Sequence, residues 1–234
     1  MVCSATIVAS LVALTLTSGG PAPVTLGTAA FAPYVYVGDD GEISGFDRDL
    51  GDEVCAQAHL DCTWQVAPFD QLLPGVMQGR FDLAIGGIAR TPERATKVDF
   101  SDPYTDTDDQ EAFYGRPGAP GLETALIGVE SGTMQEDYLR ATGRNFVSFA
   151  SNDAMVAALI AGQTDLAVGM PGSDDMDQML LDNGIEWLFS ANVPDQGTGI
   201  ALCKGNKPLQ DQVNAALAAM VADGTIDRLS ADWF

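Results

Sequence analysis

The chain has 234 residues, of which 33 are Asp or Glu and 11 are Lys or Arg, so its formal net charge is −22. This charge argues against nucleic acid and anionic lipid surfaces as partners, because almost nothing basic is present to neutralise phosphates. The length is enough to bury a sizeable core in one two-lobed unit or in two small domains. The sequence holds a single histidine, His59, and no cluster of metal-ligating residues, so neither a metal nor a cofactor is expected.

The N-terminus has the pattern of a signal peptide. An apolar run over residues 7–16 is too short to span a membrane, and small, turn-forming residues follow it up to Ala22. A departure from the pattern is that no Lys or Arg occurs before Arg48. We expect residues 1–22 to direct the chain to the periplasm and to be removed; a structured N-terminal strand or helix is the alternative.

Short apolar strands and helical segments alternate along the rest of the chain. Val24 to Thr28 predicts the first strand, and Asp39-Asp40-Gly41 is typical of a hairpin turn. The run from Gly45 to Leu50 predicts a helix start, with the Asp47 carboxylate as its cap. The three tryptophans are expected in the core. Further strands are predicted at 63–66, 98–100, 112–115, 146–149, 185–189 and 200–202, and the run 126–133 predicts a strand that ends in a turn and starts a helix. Further helices are predicted at 152–161, 209–222 and 225–233.

The stretch from Phe81 to Tyr104 predicts a binding site. A buried strand expected over residues 81–85 ends in two glycines, where the backbone can approach a ligand with no side chain in the way. Thr91 can then cap a helix that begins with proline, and Arg94 lies near the start of that helix. Backbone N–H groups, a helix N-terminus and a guanidinium at one place predict a carboxylate site.

Several motifs resemble the periplasmic solute-binding proteins that serve polar amino acid ABC transporters. They are Gly45-Phe46-Asp47-Arg48-Asp49-Leu50, Thr91-Pro92-Glu93-Arg94, Phe100-Ser101-Asp102-Pro103-Tyr104 and Ile127-Gly128-Val129-Glu130-Ser131-Gly132-Thr133. The resemblance runs from about Leu26 to the end. It implies an α/β protein with the two-lobed periplasmic-binding-protein fold (type II), in which two crossovers join the lobes and the ligand lies in the cleft. Lobe 1 is expected to comprise residues 23–112 and 193–234, and lobe 2 residues 113–192.

The resemblance also implies the ligand contacts. In the family, the arginine at the position of Arg94 binds the α-carboxylate of the ligand, and the threonine at the position of Thr133 grips it from lobe 2. For Arg94 the alternative is an arginine that caps a helix or pairs with Asp99 or Asp102. For Thr133 it is a plain helix cap, which is compatible with ligand binding. The residues expected at this carboxylate site are Arg94, Thr133, Gly86, Gly87 and Ala89.

Two aromatic residues and one departure bear on specificity. Phe31 and Phe69 occupy positions at which the family places aromatic walls, although either residue can be an ordinary core aromatic. At the position where the family usually holds the α-ammonium with Asp, this chain has Met170. Either Asp174 or Asp175 replaces that carboxylate, or the ligand lacks a free α-ammonium, since an unpaired buried charge is costly. The family's acidic residue after the first strand also has no clear counterpart, which argues against specificity for Lys, Arg or His.

Two of the four cysteines are expected to form a disulfide. Cys55 and Cys62 are seven residues apart and flank a predicted helix end, and the two cysteines at this spacing are bridged in the lysine/arginine/ornithine- and histidine-binding members of the family. Two free thiols are the alternative if the protein stays in the cytoplasm. Cys203 lies in an apolar run and is expected to be a small core residue.

The function implied by the resemblance is that of the extracytoplasmic solute-binding component of an ABC importer. The protein would bind an amino acid or a related small carboxylate, close on it by a hinge motion and present it to the transporter permease. It is expected to be a monomer and not an enzyme. The alternatives are a periplasmic enzyme on the same fold, of a dehydratase kind, and an accessory or sensor binding protein.

Overall fold

The computed structural model describes residues 23–105, 110–169, 174–194 and 196–234, so the predicted signal peptide and Met170 lie outside the described residues. The strands are β1 (Val24–Thr28), β2 (Tyr36–Val37), β3 (Ile43–Ser44), β4 (Cys62–Val66), β5 (Leu83–Ala84), β6 (Asp99–Phe100), β7 (Gln110–Gly115), β8 (Ile127–Glu130), β9 (Phe146–Phe149), β10 (Leu166–Val168), β11 (Glu186–Asn192) and β12 (Ala201–Leu202). The helices are α1 (Phe46–Gln57), α2 (Leu72–Met77), α3 (Pro92–Ala95), α4 (Met134–Ala141), α5 (Asn152–Ile160), α6 (Asp174–Asp182), α7 (Lys207–Ala222) and α8 (Thr225–Trp233), and a 3-10 turn spans Phe69–Gln71. None of the described helices is both long and apolar enough to cross a membrane.

Two five-stranded sheets form the two lobes predicted from the sequence. The first sheet has the order β4-β1-β5-β12-β6, and the second has the order β11-β7-β10-β8-β9. In the first sheet β1 is parallel to β4 and β5, whereas β12 is antiparallel to β5 and β6. The chain passes from the first sheet to the second between β6 and β7 and returns between β11 and β12, which gives the two crossovers. We call the first sheet with its helices lobe 1 and the second lobe 2.

Each lobe has an apolar core between its sheet and its helices. In lobe 1, Leu26 and Leu83 from the sheet pack with Leu50 of α1 and Val213 of α7, and all four are fully buried. Leu50 and Val54 recur at helical spacing on the buried face of α1, as the sequence predicts. In lobe 2 the core contains Phe113, Ile127 and Leu139 among others. The cleft therefore lies between two units that each have a core of their own, and a small cluster of Ala89, Met134 and Val193 packs between them.

The disulfide between Cys55 and Cys62 is confirmed. The two Cα atoms are 6.2 Å apart, and the bond ties the end of α1 to the first residue of β4. Cys203 differs from the expectation of a small core residue. It is itself disulfide-bonded, and it is only half buried.

Two further expectations are wrong. Asp47 does not cap α1: the cap position is Gly45, no side chain bonds to the first turn, and the Asp47 side chain is fully buried. Gly45 has a φ of 119°, and a Cβ there would lie 2.4 Å from the Tyr34 carbonyl oxygen, so close backbone approach explains the glycine.

The second wrong expectation is that all three tryptophans lie in the core. Trp187 is 58% exposed, because it lies on β11 at the edge of the second sheet.

Candidate functional site

A cavity of about 260 Å³ lies between the two lobes. Of the eight residues expected at the ligand site, six line it, namely Phe31, Phe69, Gly87, Ala89, Arg94 and Thr133. Gly86 is not among the lining residues, and Met170 lies outside the described residues. The lining also includes residues that sequence reasoning missed: Tyr34, Thr105, Gln110, Glu111, Glu130, Met134, Gln135, Gly169 and Thr198.

Arg94 is buried at the junction of the lobes. Thr91 caps the single turn of α3, because its hydroxyl accepts a hydrogen bond from the Arg94 N–H at 3.2 Å. The Arg94 side chain is 4% exposed; its Nη1 donates to the Ala89 carbonyl at 2.8 Å and its Nη2 to the Gly132 carbonyl at 2.9 Å. Ala89 belongs to lobe 1 and Gly132 to lobe 2, so one guanidinium bonds to both lobes.

The alternative roles of Arg94 as a partner of Asp99 or Asp102 do not occur. Asp99 instead pairs with Lys204, with an Nζ–Oδ1 distance of 3.2 Å, and also accepts the Gly205 N–H. The backbone N–H of Asp102 donates to Asn214. Among the described contacts, the Arg94 guanidinium therefore bonds to the carbonyls of Ala89 and Gly132 and to neither of these acids.

In the loop after β5, the N–H of Gly87 does not point to the ligand site as the sequence analysis expected. Gly87 has a φ of 61° in the left-handed region, and its N–H donates at 2.6 Å to the Asp47 carboxylate, inside lobe 1. A Cβ on Gly87 would lie 3.0 Å from the Phe31 ring, so the glycine makes room for that aromatic wall. The Ala89 N–H, by contrast, has no acceptor among the described residues, and Ala89 lines the cavity. Ala89 is thus a candidate backbone donor for a ligand.

The Asp47 carboxylate supports this loop from below. It accepts the Gly87 N–H and, at 3.1 Å, the hydroxyl of Tyr104, although its Oδ1 has no partner among the described residues. Burial raises the pKa of Asp47 to about 7, and the two hydrogen bonds oppose this rise. Asp47 belongs to the Gly-Phe-Asp motif, and Tyr104 ends the Phe-Ser-Asp-Pro-Tyr motif. The two motifs therefore contact each other through Asp47, next to the loop that contains Gly87.

Aromatic rings form the walls of the cavity. The Phe31 ring stacks on Tyr34, with centroids 5.6 Å apart and planes 13° from parallel. Phe69 lies against the guanidinium of Arg94, whose Cζ is 5.9 Å from the ring centroid. Such surfaces can hold the apolar part of a small ligand, and Phe69 also restrains the arginine.

Thr133 caps helix α4, which is the alternative role that the sequence analysis gave for it. Its hydroxyl accepts the Glu136 N–H at 3.2 Å and so caps α4, and it donates to the Glu130 carbonyl at 2.8 Å. The residue lines the cavity as well. Thr133 therefore fixes the loop that lobe 2 presents to the cleft.

Glu130 is the most informative residue that sequence reasoning missed. It ends β8, a strand buried throughout, and it is 5% exposed although it lines the cavity. The Asn152 side-chain amide donates to its Oε2. Burial, and then the charges of Asp70 and Asp153, raise the pKa of Glu130 to about 7. The signal available in the sequence was an acid directly following the apolar run from Ile127 to Val129.

A second interlobe cavity, of about 340 Å³, lies on the other side of Arg94. Most of its charged lining is paired within a lobe, since Lys97 bonds to Glu93 at 2.8 Å and Arg140 bonds to Glu136 at 2.8 Å and to Asp137 at 3.1 Å. Although this cavity is larger, most of its charged residues bond to one another. The first cavity is the better candidate for a ligand because it combines a buried guanidinium, a backbone donor and aromatic walls.

The lobes are in close contact beside Arg94. A Cβ on Gly132, which has a φ of 78°, would lie 2.7 Å from the Cα of Asp70. Gly132 belongs to lobe 2 and Asp70 to the 3-10 turn of lobe 1, so the backbone at this point allows an approach that a side chain would block. The described arrangement is therefore a closed one.

Comparison with known proteins gives consistent matches over nearly the whole chain. The profile of the family described as bacterial extracellular solute-binding proteins, family 3, matches residues 24–234. The lysine/arginine/ornithine-binding periplasmic protein of Escherichia coli is 30% identical over 229 residues, with 92% of this chain and 88% of that protein covered. The ABC transporter arginine-binding protein 1 of the same organism is 31% identical, with 88% of each chain covered.

Solved structures agree with this assignment. One is a periplasmic binding protein of Salmonella typhimurium, which is described as having high arginine specificity. It has a TM-score of 0.80 and 28% identity, and the match covers 91% of this chain and 99% of that one. A periplasmic His/Glu/Gln/Arg/opine family-binding protein of Silicibacter pomeroyi, in complex with lysine, has a TM-score of 0.80 and 27% identity, with 90% and 96% covered.

Proposed function

Because the chain belongs to the bacterial extracellular solute-binding proteins of family 3, we propose that it binds an amino acid or a related small carboxylate between its lobes and delivers it to an ABC transporter permease. The observation that carries the proposal is Arg94, a buried guanidinium in the interlobe cavity that bonds to both lobes. Arginine is suited to this role because its planar fork matches a carboxylate. The relatives named for binding lysine, arginine or histidine support a ligand of this class.

In this proposal the ligand carboxylate lies between Arg94 and the N–H of Ala89. The stacked pair of Phe31 and Tyr34 and the ring of Phe69 cover the rest of the molecule. Thr133 acts from lobe 2 by holding its loop in place. Contacts from both lobes favour the closed arrangement, because a ligand stabilises the state that it contacts more.

The site is proposed to bind without catalysis, and the ligand is released unchanged. Export through residues 1–22 to the periplasm fits the periplasmic relatives, and we propose that the mature protein acts there as a monomer. A permease would then distinguish the closed from the open form.

Isothermal titration calorimetry of the mature protein with L-arginine, L-lysine, L-histidine and L-glutamine tests the proposal. Arg94→Ala should weaken binding of the best of them by about 10-fold to 100-fold, the loss expected for hydrogen bonds to a charged group. Arg228→Ala, at an exposed arginine in α8, is the matched control and should bind the ligand as tightly as wild type does. Equal binding by Arg94→Ala and wild type would refute the carboxylate site.

Mass spectrometry of the released ligand tests the absence of catalysis. The ligand should be recovered intact; a converted product would favour the enzyme alternative.

A further inference from the structure

Glu130 is a buried carboxylate that faces the cavity without a cation beside it. Its Oε2 accepts a hydrogen bond from Asn152, while its Oε1 has no donor among the described residues. The described ion pairs do not include Glu130. Its charged neighbours are acids, because Asp70 lies on the 3-10 turn of lobe 1 and Asp153 on α5.

This arrangement is electrostatically unfavourable for the protein alone. A buried carboxylate is costly unless it is paired, and two acids nearby add repulsion. Asp70 comes from the opposite lobe, so closing the cleft brings it towards Glu130. A positive charge placed in the cavity would relieve both effects and would favour closure.

Glu130 and the proposed carboxylate site share one cavity. Arg94 donates to the carbonyl of Gly132, which is two residues from Glu130, and both Arg94 and Glu130 line the cavity. A small zwitterion in this cavity can therefore contact both residues. Among the described residues, Arg94 and Glu111 are the other charged residues that line this cavity.

We propose that Glu130 binds a cationic group of the ligand, an ammonium or a guanidinium, and supplies the negative charge that position 170 lacks. This inference rests on the proposed function and names the charge of its ligand. It favours the hypothesis in which another acid replaces the family's Asp, with Glu130 as that acid. Glu130 is then a specificity-determining residue of lobe 2.

The change in protonation of Glu130 on ligand binding can be measured directly, and its sign shows whether the bound group is a cation. With a pKa of about 7, the carboxyl of the unliganded protein is roughly half protonated at pH 7. A bound cation lowers the pKa, so binding should release about half a proton at pH 7, and affinity should be about 10-fold weaker at pH 6 than at pH 8. An anionic group beside Glu130 would cause proton uptake instead.

The experiment is calorimetry in buffers of different ionisation enthalpy, with three probes. L-glutamine carries only the α-ammonium, N-acetyl-L-arginine only the guanidinium, and L-arginine both. Glu130→Gln should abolish the proton release and flatten the pH dependence between pH 6 and pH 8, while keeping the shape of the side chain. Asp153→Asn, which does not line the cavity, should move the midpoint of the pH profile to lower pH. Glu186→Gln, at an exposed acid of β11, is the matched control and should behave as wild type.

The outcomes separate this inference from the proposed function. Proton release that is lost in Glu130→Gln supports it, and the probe that shows the release identifies the cationic group. Binding with proton uptake, with no proton exchange, or with an unaltered pH profile in Glu130→Gln overturns the inference and leaves the proposed function intact. Failure of all three probes to bind wild type, together with silence of the full amino acid panel, overturns the proposed function and this inference with it.

Discussion

Replacing Asp47 with asparagine removes a buried ionisable group and leaves its shape. The asparagine oxygen can still accept the Gly87 N–H and the Tyr104 hydroxyl, the two bonds that the carboxylate makes now. The amide nitrogen takes the place of Oδ1, which has no partner among the described residues. At pH 5, where the native carboxyl is largely protonated, we expect Asp47→Asn to be less stable than wild type by about 1–3 kcal/mol, because the amide leaves two buried N–H donors unsatisfied where the protonated carboxyl leaves one O–H.

The pH dependence of this difference follows from the raised pKa. Burial moves the pKa of Asp47 from 3.8 to about 7, so the folded state binds the proton more tightly than the unfolded state. The resulting stabilisation is complete below pH 3.8 and is lost as the pH rises through 7. Between pH 5 and pH 8 wild type should therefore lose about 2–3 kcal/mol of unfolding free energy relative to Asp47→Asn.

Urea unfolding of the two ligand-free proteins at pH 5, 6, 7 and 8, followed by tryptophan fluorescence, measures the difference. Other titrating groups, including Glu130, contribute equally to both proteins and cancel. The stability gap should narrow, or change sign, towards pH 8. A gap that stays constant from pH 5 to pH 8 would show that Asp47 has an ordinary pKa, and the argument from burial would fail.

Three other changes test separate parts of the structure. Cys55→Ser should cost about 2–3 kcal/mol of unfolding free energy in the chain-entropy model for so short a loop, measured by urea unfolding against oxidised wild type; equal stability of the two proteins would contradict this. Gly132→Ala places a methyl group 2.7 Å from the Asp70 Cα, so calorimetry should show weaker ligand binding and small-angle scattering a more open protein; normal closure would contradict the contact. Thr133→Val removes the cap of α4 and should lower the unfolding free energy by about 1 kcal/mol, whereas Thr142→Val, at an exposed threonine, should change it less.

The parts of the site that depend on local chemistry could be predicted from the sequence. Thr91 and the proline after it specify the turn that carries Arg94, and the spacing of Cys55 and Cys62 suits a staple across a helix end. These features arise within a few residues of chain. Propensity, capping and loop length therefore decide them with little help from the rest of the fold.

The parts that failed depend on contacts between distant segments. The Gly87 N–H points away from the ligand because Asp47, forty residues earlier, accepts it. Glu130 is buried by α5 behind it and by the opposite lobe, and the strand pattern alone does not reveal either neighbour. Trp187 is exposed because β11 is an edge strand, which is a property of sheet order and not of residue type.

The sheet order also has a consequence for how the molecule folds. All strands of the second sheet come from one stretch, residues 110–192, whereas the first sheet needs β12 to join β5 to β6. During synthesis, lobe 2 has all of its strands before residue 201 is available, while β6 has no other neighbour in its described sheet until then. Because non-local pairing is slow, we expect lobe 2 to fold first and the return of the chain to limit the assembly of lobe 1. The cleft between the lobes would then form last, when β12 pairs with β5 and β6 and completes the sheet of lobe 1.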